Sequence, residues 1–310
     1  MKRIFIDGSA GTTGLRIYER LGSRDDIELF ILPDDKRKDD AARKEALNSA
    51  DVAFLCLPDD AARQAVSMIE NPNTVVIDTS TAHRINPDWA YGFPELSKAH
   101  EEKIKNSKRI AVPGCHASGF IALIYPLVEA GVLDRSTALT CFSITGYSGG
   151  GKKMIAEYED FEPDMLLSAP RQYGLTQTHK HLPEMSAVTG LENQPIFCPV
   201  VDDFYSGMQV TVPVFSGMLK NAGIEDIKEI YRNKYNSDIV WFKDEAGENG
   251  FLSTLALSES DGMEISVHGN DERIILVARY DNLGKGASGA AVECLNIVLG
   301  AEKTKNLELF

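Results

Sequence analysis

Short apolar strands alternate with helices in the first third of the chain. Four short runs contain consecutive apolar residues: residues 2–7, 27–32, 51–57 and 74–78. After the first run, Leu15, Tyr18 and Leu21 recur at helical spacing on one side, and helical segments also follow the second and third runs. Strands of this kind are typical of a parallel sheet that helices cover on both faces. The pattern therefore predicts an open α/β sheet.

The pattern changes after residue 135, where strand-like segments follow one another. The predicted strands cover residues 136–145, 209–215, 239–242, 264–268 and 273–280. One helix is predicted near residues 224–235 and a last one at residues 292–299. A run of strands after an alternating β/α region predicts a separate α+β domain. The chain has 310 residues, enough for two domains, because single cores seldom grow beyond roughly 250 residues.

One of the five cysteines lies at a glycine turn. Residues 112–119, Val-Pro-Gly-Cys-His-Ala-Ser-Gly, place Cys115 where a strand ends and a buried helix begins, and its neighbour His116 is expected to point elsewhere for steric reasons. The free N–H groups of a helix start favour an anion, so a thiol there forms the nucleophilic thiolate more readily. A small core residue is the competing interpretation. The other cysteines lie in apolar elements, and this contrast favours chemistry at Cys115: Cys56, Cys141, Cys198 and Cys294.

A glycine-rich segment directly follows the first predicted strand. It contains Gly8, Gly11 and Gly14, with Thr12 and Thr13 between the last two, and a helix comes next. Strand, glycine turn and helix form the context in which backbone N–H groups bind phosphate. The spacing departs from the common G-x-G-x-x-G, so an ordinary tight turn is an alternative. The position at the start of a β/α region favours dinucleotide binding.

Polar residues follow the fourth apolar run, where open α/β sheets bind ligands. Ser80 and Arg84 are placed there, and the guanidinium of Arg84 suits either a carboxylate or phosphate ligand or a structural aspartate. His83 is expected on the surface. After the second strand, residues 34–37 are Asp-Asp-Lys-Arg, which combines charges suited to a ribose 2′-hydroxyl and to a 2′-phosphate. The choice between NAD and NADP stays open, and a solvated loop is the alternative.

Two later segments supply further candidates. Residues 146–153, Gly-Tyr-Ser-Gly-Gly-Gly-Lys-Lys, form either a cationic loop that wraps an anion, with Ser148 and Lys152 as candidates, or a plain loop. His179 and His181 lie two residues apart, so their rings point the same way in an extended segment. No third ligand accompanies them, so no metal site is expected. A general acid/base for thiol chemistry fits better.

Charge and composition disfavour several classes of partner. A net charge of −14 argues against nucleic acid or an anionic membrane surface, and an anionic substrate would need a local cationic pocket. No apolar run approaches the roughly 18 residues of a membrane span, and the N-terminus lacks a signal-peptide pattern. An odd number of cysteines without close pairing suggests a reducing compartment. A cytoplasmic protein is expected.

These motifs together resemble the short variant of the N-acetyl-gamma-glutamyl-phosphate reductase family over nearly the whole chain. The segments that carry the resemblance are residues 6–14, 77–82, 89–92, 113–115, 146–152, 173–175, 178–184 and 281–289. The last segment, Asp-Asn-Leu-Gly-Lys-Gly-Ala-Ser-Gly, is shared with aspartate-semialdehyde dehydrogenase. One departure is that the family commonly has Tyr-Pro-Thr after the cysteine, whereas residues 116–118 here are His-Ala-Ser.

The resemblance implies a domain plan and a reaction. The plan is a Rossmann-like NADP-binding domain (residues 1–114), an α+β catalytic and dimerisation domain (115–280) and a C-terminal helix (within 281–310) that packs back on the first domain. The reaction is the NADPH-dependent conversion of N-acetylglutamyl 5-phosphate to the 5-semialdehyde and phosphate, through a thioester on Cys115, in arginine biosynthesis. A homo-oligomer, either a dimer or a tetramer, is expected.

Within this chemistry, His181 is expected to be the acid/base, and His179 is expected to contact the substrate. Arg84, Ser148 and Lys152 are further substrate or phosphate candidates. The cofactor candidates, of which the last is placed at the nicotinamide end by family analogy, are Gly8, Gly11, Thr12, Thr13, Gly14, Ser80 and Asn282.

Three alternatives stay open at this point. The nearest is a semialdehyde dehydrogenase acting on another acyl phosphate, such as aspartyl phosphate, which assays with both semialdehydes would distinguish. The second is a dinucleotide-binding sensor without turnover, which would have no need of a nucleophile. The third is a cysteine hydrolase, which would leave the glycine-rich N-terminus without a role and would not bind NADPH.

Overall fold

A computed structural model describes all 310 residues. The chain divides into two compact units. The first unit contains residues 1–114 and 287–307, and the second contains residues 115–286 and 308–310. The first unit is therefore assembled from both ends of the chain.

The first unit contains a six-stranded parallel sheet. Its strands are β1 (Lys2–Asp7), β2 (Ile27–Phe30), β3 (Val52–Leu55), β4 (Val75–Asp78), β5 (Ala90–Tyr91) and β6 (Arg109–Ala111). The order across the sheet is β2-β1-β3-β4-β6-β5, and every neighbouring pair is parallel. The helices that connect the strands are α1 (Thr12–Leu21), α2 (Asp40–Ser49), α3 (Asp59–Ser67) and α4 (Lys98–Asn106).

The second unit contains a seven-stranded mixed sheet. Its strands are β7 (Thr140–Gly146), β8 (Arg171–Gln172), β9 (Ile196–Asp202), β10 (Met208–Phe215), β11 (Val240–Phe242), β12 (Met263–Gly269) and β13 (Arg273–Tyr280). They lie in the order β11-β12-β13-β10-β7-β9-β8. The remaining helices of the chain are α5 (Cys115–Glu129), α6 (Gly151–Tyr158), α7 (Leu182–Thr189), α8 (Ile224–Lys234) and α9 (Gly289–Leu299).

Apolar side chains cover both faces of the parallel sheet. Successive strand residues point to opposite faces, so Ile4 and Phe5 of β1 enter two different cores. Phe5 packs with residues of α2 and α3, such as Leu47. Ile4 packs with α1 and with the C-terminal helix α9, which contributes Val292 and Leu295. The parallel sheet, the α+β second unit and the returning helix confirm the predicted fold class.

Helix α5 is the buried helix of the second unit and begins at Cys115. It packs against β10, β13, α7 and α8. Pro126 lies inside it and has no N–H, so the carbonyl of Ala122 loses its usual helical donor. The hydroxyl of Tyr235 donates to that carbonyl instead, at 2.7 Å. The hydroxyl of Tyr231 donates to the carbonyl of Leu123.

Candidate active site

Cys115 is the first residue of α5, as the Pro-Gly turn predicted. The residue is half-buried, and its sulfur is in no disulfide. The backbone of Gly286 lies beside it: a Cβ atom at Gly286 would be 3.1 Å from the Cβ of Cys115. The position therefore combines a helix start with close backbone packing, which suits a thiolate nucleophile better than a core cysteine.

His179 and His181 lie next to each other in the second unit. Their ring centroids are 4.7 Å apart, and the backbone N–H of His181 donates to Nδ1 of His179 at 3.2 Å. The segment forms a turn rather than an extended strand, and His181 occupies the N-cap of α7. His181 is buried and His179 is half-buried. The predicted pair is thus brought together by a different local structure.

His116 completes a cluster of three imidazoles. Its ring centroid lies 5.8 Å from that of His179 and 5.6 Å from that of His181. The ring of Phe197 packs against both His116 and His179, at 5.2 and 5.1 Å. The sequence did not predict that His116 would join the other two histidines, because these partners lie on distant segments of the chain.

Both ring nitrogens of His116 are hydrogen-bonded. Nδ1 lies 2.6 Å from the hydroxyl of Ser143 on β7, and Nε2 lies 2.6 Å from the hydroxyl of Tyr173. Burial, followed by the positive charge of His179, lowers the pKa of His116 to about 3. The imidazole is therefore neutral near pH 7, with one nitrogen donating and the other accepting.

Tyr173 belongs to the same cluster, although the sequence pattern predicted no role for it. Burial, followed by the charge of Cys115, raises the pKa of its hydroxyl, so Tyr173 stays protonated and available as a donor or acceptor. The departure from the family pattern at residue 116 is the signal that could have indicated such a residue, since a new polar side chain in a buried place needs new partners.

The segment at residues 146–153 forms a short 3₁₀ turn, Tyr147–Gly150, followed by α6. Ser148 is buried, and its hydroxyl accepts a hydrogen bond from the amide of Asn282 at 2.9 Å. The oxygen of the same amide accepts from the backbone N–H of Gly207 at 3.0 Å. A predicted substrate residue and a predicted cofactor residue are thus joined. Lys152 lies exposed in the first turn of α6.

In the first unit, the glycine segment forms a tight turn between β1 and α1. A Cβ atom at Gly8 would lie 2.3 Å from the carbonyl oxygen of Cys56, and one at Gly14 would lie 2.4 Å from that of Gly8. Gly8 also has a φ of +89°, which L side chains rarely adopt. Glycine is therefore required at both positions by the backbone itself.

The start of α1 fits a phosphate group. The helix begins at Thr12, and its N-cap residue, Gly11, has no side chain with which to cap it. No side chain caps the first N–H groups of α1, and the half-buried Thr12 and Thr13 lie beside them, a combination that suits an anion. This is the arrangement that a dinucleotide pyrophosphate needs.

Ser80 lies in a buried polar network at the end of β4. Its hydroxyl donates to Asp78 at 2.7 Å and accepts from the N–H of Ala82 at 3.1 Å. Nδ1 of His83 also lies 2.7 Å from the Asp78 carboxylate, and its ring stacks on Trp89 with centroids 4.0 Å apart. His83 is buried, so the expectation of a surface histidine was wrong.

Arg84 is half-buried in the first unit. Its guanidinium donates to the carbonyl oxygens of Val112 and Thr79, both at 2.9 Å. Val112 lies three residues before Cys115 in the chain. The guanidinium therefore braces the segment that leads to the nucleophile. Asp34 and Arg37, in the charged run after β2, form an exposed ion pair at 3.5 Å.

No group of three or more histidine, cysteine, aspartate or glutamate side chains is arranged to hold a metal ion. Every helix is too short or too polar to cross a membrane.

Comparison with known proteins identifies the family. Models of the semialdehyde dehydrogenase NAD-binding domain and dimerisation domain match residues 3–106 and 115–282. N-acetyl-gamma-glutamyl-phosphate reductase 2 of Nostoc sp. is 44% identical, over 96% of this chain and 97% of that protein. The reductase of Sinorhizobium medicae is 45% identical, over 96% and 99%.

Solved structures share the fold at low sequence identity. Aspartate semialdehyde dehydrogenase II of Vibrio cholerae, complexed with ASA, has a TM-score of 0.75 and 15% identity, over 97% of this chain and 98% of that chain. The Candida albicans aspartate semialdehyde dehydrogenase with NADP has a TM-score of 0.69 and 16% identity, over 97% and 99%. The fold, the cysteine at a helix start and the full-length relatives lead to one conclusion: the chain belongs to the N-acetyl-gamma-glutamyl-phosphate reductase family.

Proposed function

We propose that this protein is an NADP-dependent reductase of arginine biosynthesis. It converts N-acetyl-L-glutamyl 5-phosphate to N-acetyl-L-glutamate 5-semialdehyde and phosphate. Residues 1–114 form the NADP-binding domain, residues 115–280 the catalytic and dimerisation domain, and residues 281–310 carry the returning helix. The observation that carries the proposal is Cys115 at the start of α5, in a chain 44–45% identical to named reductases over 96% of its length.

The Cys115 thiolate attacks the carbonyl carbon of the acyl phosphate. A carbon–sulfur bond forms, the bond to the phosphate oxygen breaks, and phosphate leaves with the electron pair. The sulfur nucleophile divides one difficult displacement into two easier steps. The N–H groups at the start of α5 are suited to stabilise the oxyanion that forms on the carbonyl oxygen.

His181 acts as the acid/base and His179 as the substrate contact. His181 is held at the N-cap of α7, and this fixed backbone suits repeated proton transfer at a defined place. The half-buried His179 is the more accessible of the two. His116 does not take the proton from the thiol, because a pKa of about 3 makes its imidazole too weak a base to hold that proton near pH 7.

The glycine turn, Ser80 and Asn282 are the residues assigned to the cofactor. The glycine turn, with Gly8, Gly11 and Gly14, binds the pyrophosphate together with Thr12 and Thr13. Ser80 is a further cofactor residue, and Asn282 binds the nicotinamide end. When bound, NADPH supplies the hydride that reduces the thioester. Collapse of the resulting thiohemiacetal passes its hydroxyl proton to His181, breaks the carbon–sulfur bond, returns the Cys115 thiolate and releases the aldehyde.

Arg84, Ser148 and Lys152 serve the anionic groups of the substrate. Two of them are cations, which supply the local positive charge that a protein of net charge −14 needs in order to bind an acyl phosphate. The hydroxyl of Ser148 is held by the amide of Asn282, so its orientation is fixed before the substrate arrives.

The protein acts in the cytoplasm as a homo-oligomer, a dimer or a tetramer. The matched family model for residues 115–282 is a dimerisation domain. In that unit, one face of the mixed sheet exposes Phe142, Phe215 and Ile275, whose side chains are 48%, 64% and 41% exposed. An apolar sheet face of this kind suits burial against a second copy. Light scattering of the purified protein tests this, and a monomer at micromolar concentration would contradict it.

The reaction is tested by steady-state kinetics in the oxidative direction. The protein should reduce NADP in the presence of phosphate and N-acetylglutamate semialdehyde, with a higher kcat/KM than for aspartate semialdehyde. Cys115→Ser should abolish turnover and leave NADP affinity near normal. The matched control is Cys198→Ser, at a half-buried cysteine on β9. Preference for aspartate semialdehyde, or substantial activity of Cys115→Ser, would overturn the proposal.

A further inference from the structure

The hydroxyl of Tyr280 is inserted into the first turn of α5. In a regular helix, the carbonyl of residue 115 would accept directly from the N–H of residue 119. Here the Tyr280 hydroxyl donates to the carbonyl of Cys115 at 2.5 Å and accepts from the N–H of Gly119 at 3.0 Å. One phenol therefore bridges the two backbone groups that close the turn carrying the thiol.

The surrounding packing is shaped for this bridge. A Cβ atom at Gly119 would lie 2.7 Å from the Tyr280 hydroxyl and 2.7 Å from Cγ2 of Val210, so a side chain there would displace the phenol. From the segment that follows Tyr280, Gly286 approaches to where its Cβ would be 3.1 Å from the Cβ of Cys115. Residues 280–286 thus contact the first turn of α5 at both its backbone and its thiol-bearing residue.

The buried environment keeps the phenol in one state. Tyr280 is fully buried at the end of β13, and burial raises the pKa of its hydroxyl well above 10. The proton is therefore always present to donate to the Cys115 carbonyl. The same strand end pairs with Met208 of β10 and Met263 of β12, so the ring is anchored at the centre of the mixed sheet.

We propose that Tyr280 is a positioning residue for Cys115: its hydroxyl, by bridging Cys115 and Gly119, sets the geometry of the helix turn from which the thiol projects. The inference rests on the proposed role of Cys115 as the nucleophile. Without the hydroxyl, the turn relaxes toward direct closure between the carbonyl and the N–H. The Cα–Cβ bond of Cys115 then changes direction, and the thiolate is no longer aligned with the N–H groups at the start of α5.

The chain offers a closely matched control. Tyr231 is also fully buried, and its hydroxyl also donates to a carbonyl of α5, that of Leu123, in the interior of the helix. Tyr231→Phe and Tyr280→Phe therefore remove the same group and leave the same kind of carbonyl without its tyrosine donor. The two variants differ in one respect: Tyr280→Phe affects the turn that carries the thiol of Cys115, and Tyr231→Phe affects a later turn of the same helix.

Two measurements separate positioning from a purely structural effect. The first is the pH dependence of Cys115 alkylation by iodoacetamide, followed by mass spectrometry of the peptide that contains it. The second is kcat and KM in the reductase assay. We expect Tyr280→Phe to raise the midpoint pH of alkylation and to lower kcat by about 10- to 100-fold with little change in KM, since misplacement of a reacting group by about 1 Å can cost that much. Tyr231→Phe should leave both within about twofold of wild type.

Equal effects of the two substitutions, or an unchanged alkylation profile in Tyr280→Phe, would overturn the proposal. If Tyr280→Phe does not fold, Gly119→Ala combined with Val210→Gly tests the same bridge: the second change removes both Val210 atoms that the new methyl group would meet and leaves that group against the phenol. This variant should reproduce the alkylation shift, and an unshifted profile counts against the bridge. Alkylation needs no substrate, so an altered profile in a protein without reductase activity would refute the proposed function and not this inference.

Discussion

His116 should make the stability of the protein depend on pH. The pKa of this buried imidazole is lowered to about 3, from 6.5 for the ordinary group, by burial and by the charge of His179. Between these values the unfolded chain binds a proton at residue 116 and the folded protein does not. The stability that the neutral imidazole contributes is therefore complete above about pH 6.5 and is lost as the pH falls.

The loss of stability at a given pH follows from the difference between that pH and the pKa of His116 in the unfolded chain. At pH 5 that difference is about 1.5 units, which corresponds to about 2 kcal/mol at roughly 1.36 kcal/mol per unit. The result changes little for any folded pKa below about 4, because the folded imidazole is then neutral at pH 5. The free energy of unfolding should fall between pH 8 and pH 5 by about 2 kcal/mol more in wild type than in a variant that has no imidazole at residue 116.

Urea unfolding of wild type and His116→Gln at pH 5, 6, 7 and 8 measures this difference, because every other titrating group is common to both proteins. Ser143→Ala is the matched control: it removes the hydrogen bond to Nδ1 and retains the imidazole. It should lower stability by about 1 kcal/mol at every pH and keep the wild-type pH dependence. If His116→Gln retained the full wild-type dependence, the buried, neutral state of His116 would be refuted.

Three further predictions concern other parts of the molecule. His181→Asn should slow acylation, measured by single-turnover phosphate release, far more than the same change at His268 on β12, and equal losses would remove the acid/base assignment. Gly14→Ala should weaken NADP binding by about tenfold or more, or prevent folding, because its new Cβ atom would lie 2.4 Å from the carbonyl oxygen of Gly8. In Gly11→Ala the nearest atom to the new Cβ is 3.4 Å away, so this variant should bind NADP with near-normal affinity. Tyr235→Phe should destabilise the protein to urea by about 1–3 kcal/mol, because a carbonyl already deprived of its helical donor loses its replacement; a neutral substitution would contradict this.

Features with a local cause were predictable from the sequence. The glycine turn follows directly from β1 and leads into α1, so the pattern of residues 2–21 contains all the information it needs. Cys115 at the start of α5 was predictable for the same reason, since Pro113 and Gly114 end the strand just before it. The helix α4 was not predicted, because Ile104 is its single buried residue and leaves no apolar periodicity to detect.

Features that depend on distant partners were missed. His116 meets Ser143 and Tyr173, which are 27 and 57 residues away in the chain, and no spacing rule links them. His83 was expected on the surface, but Asp78 and Trp89 give it a buried hydrogen bond and a stacking partner. Side chains of this type are placed by tertiary contacts, so residue type and local pattern leave their burial undetermined.

The returning helix α9 has a consequence for synthesis on the ribosome. Ile4 and Ile6 of the parallel sheet share one core with Val292 and Leu295, so that face of the sheet lacks one of its covering helices while residues 115–286 are being translated. During this interval the nascent N-terminal segment exposes apolar side chains to which chaperones can bind. The first unit is therefore completed only after the second unit has been synthesised, when α9 packs against the sheet.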